Sequence, residues 1–271
     1  MIKFKLDLHR HMSDLFHFIL SKQGKKEYLI KLLNKLFRKG DDLVIGLADF
    51  NNDGRFSKFE KTIRELPKDY LINKKGPIIS IKKNKKMIYF IRANEISTEK
   101  GHILIIGNNE KIKTRKLENI LIKAKENKWI VIADHPLHEF TFPYFLISRI
   151  NEHSAISLKK ETIYNNKKNI DVLELNSYFP EDRKEIKKLG KKYKIPVISE
   201  SDAHFMNEFF NSYFELDNLD LTNITKFKKT FRKALKKHIK LHPRKKGIFV
   251  IYKHGVYVVM EIFGKKLGLI K

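Results

Sequence analysis

The stretch FKLDLHRH (residues 4–11) joins a short apolar run to two histidines separated by one residue. A short run of mostly apolar residues at the start of a globular chain indicates a buried β-strand. Because side chains alternate between the two faces of a strand, His9 and His11 are expected to point to the same side. Two imidazoles on one side can share a metal ion. This segment therefore predicts a strand and one edge of a metal site.

Six further apolar runs follow along the chain, and they cover residues 43–47, 87–93, 103–106, 130–133, 172–175 and 196–199. Helix-like patterns lie between them, at residues 115–127, 181–192 and 222–237. Buried strands that alternate with amphipathic helices are typical of an α/β protein. Residues 75–93 differ, because two β-like runs flank a Lys/Asn turn, and they predict a β-hairpin.

The composition is that of a globular protein that must bind any metal without thiolates. Apolar residues make up 42% of the 271 residues, and the sequence has no cysteine. Disulfides, zinc–thiolate sites and cysteine nucleophiles are therefore excluded, and metal ligands must come from His, Asp and Glu. The N-terminus has no apolar signal region, and no run is long enough for a membrane helix. We expect a cytoplasmic protein without stable membrane insertion.

The formal net charge is +26, from 57 Lys and Arg against 31 Asp and Glu. A field of this sign attracts phosphates and nucleic acid. Only ten of the 57 cationic residues are Arg, and the lysines are spread over the whole chain. The excess therefore fits a compositional bias as well as a binding face. Nucleic acid is therefore one possible partner, and the sequence does not indicate the oligomeric state.

One main domain is expected over residues 1–242, because no internal repeat or low-complexity linker divides the chain. The tail at residues 243–271 is strongly apolar with lysines at both ends. We expect this tail to form an amphipathic helix or hairpin that packs on the main domain. A membrane-surface or partner-binding helix is the alternative.

Other ligand-type residues also lie at the ends of the apolar runs. Glu95 follows the third run in NEIST, and His102 begins the fourth run in GHILIIG. His135 follows the fifth run, and Asp202 and His204 form a D-x-H pair after the last run. Barrel enzymes place their active sites where the strands end. The pattern therefore predicts a metal site built from several strand ends.

The ordered set H-x-H, Glu followed by His, H-P and S-D-A-H resembles the PHP (polymerase and histidinol phosphatase) superfamily. Each motif is weak alone, but the order is specific and runs from residue 7 to about residue 212. The resemblance implies a distorted seven-stranded β/α barrel, which is TIM-like, with the hairpin as an insertion and the tail as a C-terminal apolar helix or hairpin. It also implies two or three divalent metal ions, which would be Mn, Zn or Fe.

The resemblance assigns metal-ligand roles position by position. The ligands of a first metal match His9, His11, Glu95 and Asp202. Glu95 also matches the carboxylate that bridges to a second metal, whose other ligands match His102 and His135. A third metal in the family takes the His of the D-x-H pair, which is His204. Another of its ligands would be His17 or Asp14.

The chain departs from the family after its second strand. The family usually reads T-D-H there, and this chain reads LADFNND (residues 47–53). Asp49 stands at the Asp, but Phe50 replaces the His, and phenylalanine cannot bind a metal. The third site is then absent, weak or rebuilt, and the residues that could rebuild it are Asp49, Asn51 and Asp53. Alternatively, Asp49 and Asp53 only cap a turn.

The function that the resemblance implies is metal-dependent hydrolysis of a phosphate ester by a metal-activated hydroxide. His204 or His17 would give a proton to the leaving oxygen. Asp7 and Asp134 are expected to orient the imidazoles. Five residues are expected to line the pocket, namely Glu174, Asn176, Ser199, Glu200 and Ser201.

The expected substrate is a small phosphomonoester, such as a nucleotide or sugar phosphate, and nucleic-acid ends are the second choice. The alternative is a non-catalytic PHP-like metal-binding domain, its third metal site disabled by Phe50. An amidohydrolase that cleaves C–N bonds with the same kind of site is a third hypothesis.

Overall fold

In a computed structural model of the chain, the described residues form eleven strands in one mixed sheet, which carries the fold. The structure describes residues 2–12, 20–40, 42–137, 157–175 and 182–244. Four expectations lie outside the described residues, namely those for Asp14, His17, Asn176 and the tail from residue 245 onward.

The strands are β1 (Lys3–Arg10), β2 (Leu43–Phe50), β3 (Leu71–Lys75), β4 (Ile78–Lys83), β5 (Lys86–Thr98), β6 (Gly101–Ile106), β7 (Ile130–Ala133), β8 (Val172–Leu175), β9 (Val197–Ser199), β10 (Tyr213–Asp217) and β11 (Lys240–His242). The α-helices of the described residues are α1 (Lys22–Lys39), α2 (Arg55–Ile63), α3 (Leu117–Glu126), α4 (Lys160–Asn166), α5 (Arg183–Tyr193) and α6 (Ile224–Leu235). Each of the seven apolar runs coincides with a strand, and the three helix patterns coincide with α3, α5 and α6.

The sheet order is β11-β10-β1-β2-β5-β6-β7-β8-β9, and β3 and β4 extend it beside β5. The two ends of this sheet approach each other. The His242 amide donates a hydrogen bond of 3.2 Å to the Ser199 hydroxyl, and that hydroxyl donates to the Tyr213 carbonyl. Because β9 thus lies against β10 and β11, the sheet forms a nearly closed barrel.

The expectation of a seven-stranded TIM-like β/α barrel is wrong. Strand β6 is antiparallel to both β5 and β7, and β10 is antiparallel to β1 and β11. A parallel neighbour needs a crossover of about a dozen residues. Only Glu99 and Lys100 connect β5 to β6, so the chain must turn back there. With few helices, the described residues form a mixed barrel without regular strand–helix alternation.

The predicted hairpin is confirmed. Strands β4 and β5 pair antiparallel, from Ile78 opposite Ile91 to Lys83 opposite Lys86. Asn84 lies in the turn with a φ of 56°, a left-handed conformation that asparagine tolerates well.

Helices α1 to α5 cover the outer face of the barrel through their apolar faces, whereas α6 packs Phe227 and Phe231 against the interior cluster. Helix α1 begins at the cap residue Ser21, whose hydroxyl accepts a hydrogen bond from the Gly24 amide. Its residues Leu29, Leu33 and Leu36 recur at helical spacing and pack in an apolar cluster with the outer residues of β2. None of the helices in this part of the chain has the length and apolarity needed to cross a bilayer.

A β-bulge in β1 turns the H-x-H pair toward the barrel interior. The pairing of β1 with β2 shifts register between Asp7 and Arg10. Leu8 packs in the interior core, so simple alternation would send His9 outward. An extra residue in one strand of a ladder reverses the face to which each following side chain of that strand points. Bulges often redirect side chains in this way next to functional sites.

Gly46 of β2 makes this bulge sterically possible. A Cβ atom on Gly46 would lie 1.9 Å from the Leu8 carbonyl oxygen, far inside van der Waals contact. Only a residue without a side chain allows the two backbones to approach this closely.

The substitution Gly46→Ala is expected to lower the free energy of unfolding by about 3 kcal/mol, because the new methyl group must displace the Leu8 backbone. Chemical denaturation measures this change. The matched control is Gly24→Ala in α1, where a Cβ atom meets only side-chain atoms at 3.4 Å or more. Equal stability of the Gly46 variant and the wild type would contradict the close approach.

Candidate metal centre

One end of the barrel carries ionisable side chains directly beyond its apolar interior. We name this set the polar layer, and it consists of Glu95, His102, Asp134, Glu174 and Glu200, all of them buried. Each lies two positions from an interior apolar residue on the same strand or its extension, and those residues are Ala93, Leu104, Ile132, Val172 and Ile198. Alternation along a strand sends such pairs to one face. Strand β6 runs antiparallel to β5 and β7. The first residues of β6 therefore lie at the end of the barrel where β5 and β7 finish.

The first cluster brings together His9, His11 and Asp202, with one oxygen of Glu95 beside them. The Nε2 atoms of His9 and His11 are 3.2 Å apart. The His11 Nε2 atom lies 3.0 Å from Glu95 Oε2, and the His9 Nε2 atom lies 3.6 Å from Asp202 Oδ1. Ligand atoms about 2.1 Å from a tetrahedral metal are about 3.4 Å from one another. The spacing of this cluster therefore fits a metal ion.

The second cluster consists of Glu95, His102, Asp134 and His135. Its Glu95 contribution is the other carboxylate oxygen, Oε1, which lies 2.6 Å from His102 Nδ1 and 3.8 Å from His135 Nε2. The His135 Nε2 atom is also 3.2 Å from Asp134 Oδ2. Glu95 thus presents one oxygen to each cluster, which is the arrangement of a carboxylate that bridges two metal ions.

Two buried carboxylates orient the His9 ring. Its Nδ1 atom lies 3.0 Å from Asp134 Oδ1 and 2.9 Å from Glu174 Oε2. A carboxylate on one ring nitrogen fixes the imidazole and makes the other nitrogen a better metal ligand. The His9 Nε2 atom is therefore aimed at His11 and Asp202.

Asp7 holds the segment that carries Asp202. Its carboxylate accepts hydrogen bonds from the Ser201 amide at 3.1 Å and the Ser201 hydroxyl at 2.7 Å. It also accepts a hydrogen bond of 3.3 Å from the Phe210 amide. Asp202 has a φ of 43° and His135 a φ of 25°, a region that side-chain-bearing residues avoid. Such backbone strain persists where the surroundings fix it, and it is concentrated at functional sites.

Burial lowers the pKa of His102 and raises the pKa of Asp134, whereas Glu95 and His135 shift in the direction of their charged forms. Burial acts to raise the pKa of Glu95, but the charge of His102 and hydrogen bonds from His102, His11 and His135 hold it well below its usual range. Burial acts to lower the pKa of His135, but Asp134 and Glu95 raise it to about 10. A metal ion must displace these protons, so its affinity should increase with pH.

Phe50 lies at the edge of the second cluster. It pairs in register with Glu95 across β2 and β5, and its ring centroid is 5.9 Å from that of His102. Phe50 is two residues beyond the interior residue Ala48, so it faces the same end of the barrel as the polar layer.

Asp49 points to the other face of β2. It accepts hydrogen bonds from the Phe56 amide at 2.6 Å and from Arg92 Nη2 at 3.2 Å. Asn51 bonds to Ser97, and Asp53 accepts from the Arg55 amide. Among the described residues, neither Asp49 nor Asp53 belongs to a metal-ligand cluster. The three residues that could rebuild a third site therefore shape and anchor the turn after β2.

His204 lies at the mouth of the first cluster without being part of it within the described residues. Its ring stacks on the His11 ring with centroids 4.5 Å apart. Its Nδ1 atom is 3.1 Å from the Asp202 carbonyl oxygen. It is only partly buried, so solvent or a ligand can reach it.

Sequence reasoning predicted Glu200 as a pocket-lining residue, but it missed Ser97. Glu200 accepts a hydrogen bond of 2.6 Å from the Leu8 amide and thereby holds the bulge beside His9. Ser97 places its hydroxyl 3.1 Å from His102 Nε2. Side chains on a strand alternate with a period of two residues, so Ser97 shares the face of Glu95 and could have been predicted from the sequence.

The fold and the clusters together define a barrel protein with buried histidine and carboxylate groups that can hold metal ions. No protein-family model matches the sequence, and no match was found among curated proteins. Among solved structures, the chain is similar to PsfC from Pseudomonas syringae PB-5123, with a TM-score of 0.59 and 10% identity. The similarity covers 98% of this chain and 100% of PsfC, and it shows a shared fold alone.

The substitution Glu95→Gln is expected to lower metal affinity by at least about 100-fold, because both clusters lose their shared negative charge. Metal per chain after dialysis, measured by mass spectrometry, tests this expectation. The control Glu110→Gln removes an exposed carboxylate that pairs with Lys123 at 2.8 Å. A Glu95 variant that binds metal as the wild type does would contradict the shared-ligand geometry.

Proposed function

We propose that this chain is a metal-dependent phosphoesterase related to the PHP superfamily. The observation that carries the proposal is Glu95, which presents one carboxylate oxygen to each of two buried clusters. Two metal ions about 3.5–4 Å apart are a recurrent arrangement in enzymes that cleave phosphate esters. The order of the sequence motifs supports the same choice.

The residues of the two clusters would hold two divalent ions, with Mn, Zn or Fe as candidates for this thiolate-free ligand set. Such ions activate a water molecule and neutralise charge that develops on the phosphoryl oxygens. Asp134 and Glu174 keep the His9 ring oriented, and Asp7 keeps Asp202 in position. The burial of these groups excludes bulk water and strengthens their electrostatic interactions.

His204 would deliver a proton to the leaving oxygen. Its ring lies at the open side of the first cluster, stacked on His11, and its Nδ1 atom is held against the Asp202 carbonyl. Imidazole titrates near neutral pH, which suits a general acid. The Nε2 atom is then the site from which the proton would leave.

The substrate that we propose is a phosphorylated small molecule, with nucleic-acid ends as the second choice. The net charge of +26 attracts either. A location in the cytoplasm accords with a chain that has no cysteine.

Phe50 favours a second candidate function, a non-catalytic metal-binding domain. Its ring stands beside His102, where the family resemblance expects a histidine for a third metal. On this hypothesis metal binding raises thermal stability, but no phosphate ester is turned over.

The substitution Asp202→Asn is expected to reduce metal-dependent turnover of an aryl phosphate by at least about 100-fold, because a charged ligand of the first cluster is lost. The control is Asp217→Asn at the far end of β10, where Asp217 pairs in register with Lys3. Steady-state kinetics in Mn²⁺ measures both variants. Wild-type activity in the Asp202 variant would overturn the phosphoesterase, and bound metal without turnover in the wild type would favour the second candidate.

A further inference from the structure

A cavity of about 350 Å³ opens near the second cluster, although no residue of either cluster lines it. It lies between the turn after β2 and the segment that joins β6 to α3. Its lining residues are Asn51, Asn52, Ile96, Lys111, Ile112, Lys113, Thr114 and Arg115. Three of these are cationic and none is acidic, so the cavity has a positive potential.

The three cations face solvent on one side of an extended segment. Lys111, Lys113 and Arg115 alternate with the buried Ile112 and the half-buried Thr114. Within the described part of the chain, none of the three side chains forms an ion pair, whereas the neighbouring Lys123 pairs with Glu110. Their charge is therefore available to a ligand.

Hydrogen bonds to its backbone groups fix this segment against the barrel. The Asn52 amide group donates to the Ile112 carbonyl at 2.9 Å, and its side-chain oxygen accepts from the Ile112 amide at 3.0 Å. The Arg115 carbonyl accepts from the Glu99 amide at 3.3 Å. Because the segment is tied at two points, the cations hold a defined position relative to the strand ends.

A chain of hydrogen bonds connects the cavity to the second cluster. Asn51, which lines the cavity, donates to the Ser97 hydroxyl at 3.2 Å and accepts from the Ser97 amide at 3.0 Å. The Ser97 hydroxyl lies 3.1 Å from His102 Nε2. Cavity and cluster are thus separated by two side chains.

We propose that this cavity is an anion subsite, in which Lys111, Lys113 and Arg115 bind a second phosphate group of the substrate. The inference rests on the proposed function, because it assumes that the scissile phosphate occupies the metal centre. It narrows the substrate class to esters that carry two separated phosphates. Charge-assisted hydrogen bonds from Lys and Arg to phosphate are stronger than neutral ones, so the second group adds affinity and orientation.

The test compares the binding of two kinds of non-hydrolysable probe to the metal-loaded full-length protein by calorimetry. One is propylphosphonate, and the other is a series of alkane bisphosphonates with increasing spacer length. The wild type should bind the best-fitting bisphosphonate about tenfold more tightly than propylphosphonate. The triple variant K111Q/K113Q/R115Q should lose this preference.

The control K187Q/K188Q/K191Q removes three exposed charges from α5 and has the same net charge as the triple variant. It should keep the preference for the bisphosphonate. No preference in the wild type, a preference that persists in the triple variant, or an equal loss in the control would each overturn the subsite. Aryl-phosphate turnover by the same wild-type preparation tests the phosphoesterase separately, since probe binding requires no catalysis.

A phosphorylated single-stranded oligonucleotide identifies the source of the second phosphate. If the strand backbone supplies it, the triple variant should bind the oligonucleotide more weakly than the control variant, with a shallower salt dependence. If a small molecule supplies it, only the bisphosphonate preference should separate the two variants.

Discussion

The contact on which the site depends is that of Glu95 with imidazoles on both sides. Its two oxygens lie 3.0 Å from His11 and 2.6 Å from His102, and all three side chains are buried. A buried carboxylate is stable only when it is paired. Here the partners are histidines, which are themselves common metal ligands. The contacts that stabilise Glu95 in the absence of metal therefore also hold these groups in position to bind cations.

The barrel provides this contact through simple alternation along its strands. Apolar side chains fill the interior of the barrel. Toward one end of the barrel, the next inward-facing positions carry the residues of the polar layer. Strand β1 is the exception, because its alternation would point His9 outward. The bulge opposite Gly46 corrects its direction, and Glu200 stabilises the bulge by accepting from the Leu8 amide. Backbone geometry at one glycine thus decides whether the first cluster can form.

The sequence was sufficient to predict the strands that match apolar runs and the residues at their ends, because both depend on local periodicity. It did not predict β3, β10 or β11, which no apolar run of the sequence marks. It did not predict strand direction, since buried strands read alike whether parallel or antiparallel. The two-residue connection between β5 and β6 was the available sign that the barrel is mixed. The position of Asp49 was predictable in principle, because alternation beside Phe50 places it on the opposite face. The face of His9 was not, because no sequence pattern marks the bulge.

The most direct test of this account is a crystal structure of the protein soaked in Mn²⁺, with anomalous diffraction to locate the metal. Two anomalous peaks about 3.5–4 Å apart are expected, one on each side of the Glu95 carboxylate. Peaks confined to the surface, or a single peak that does not contact Glu95, would contradict the account.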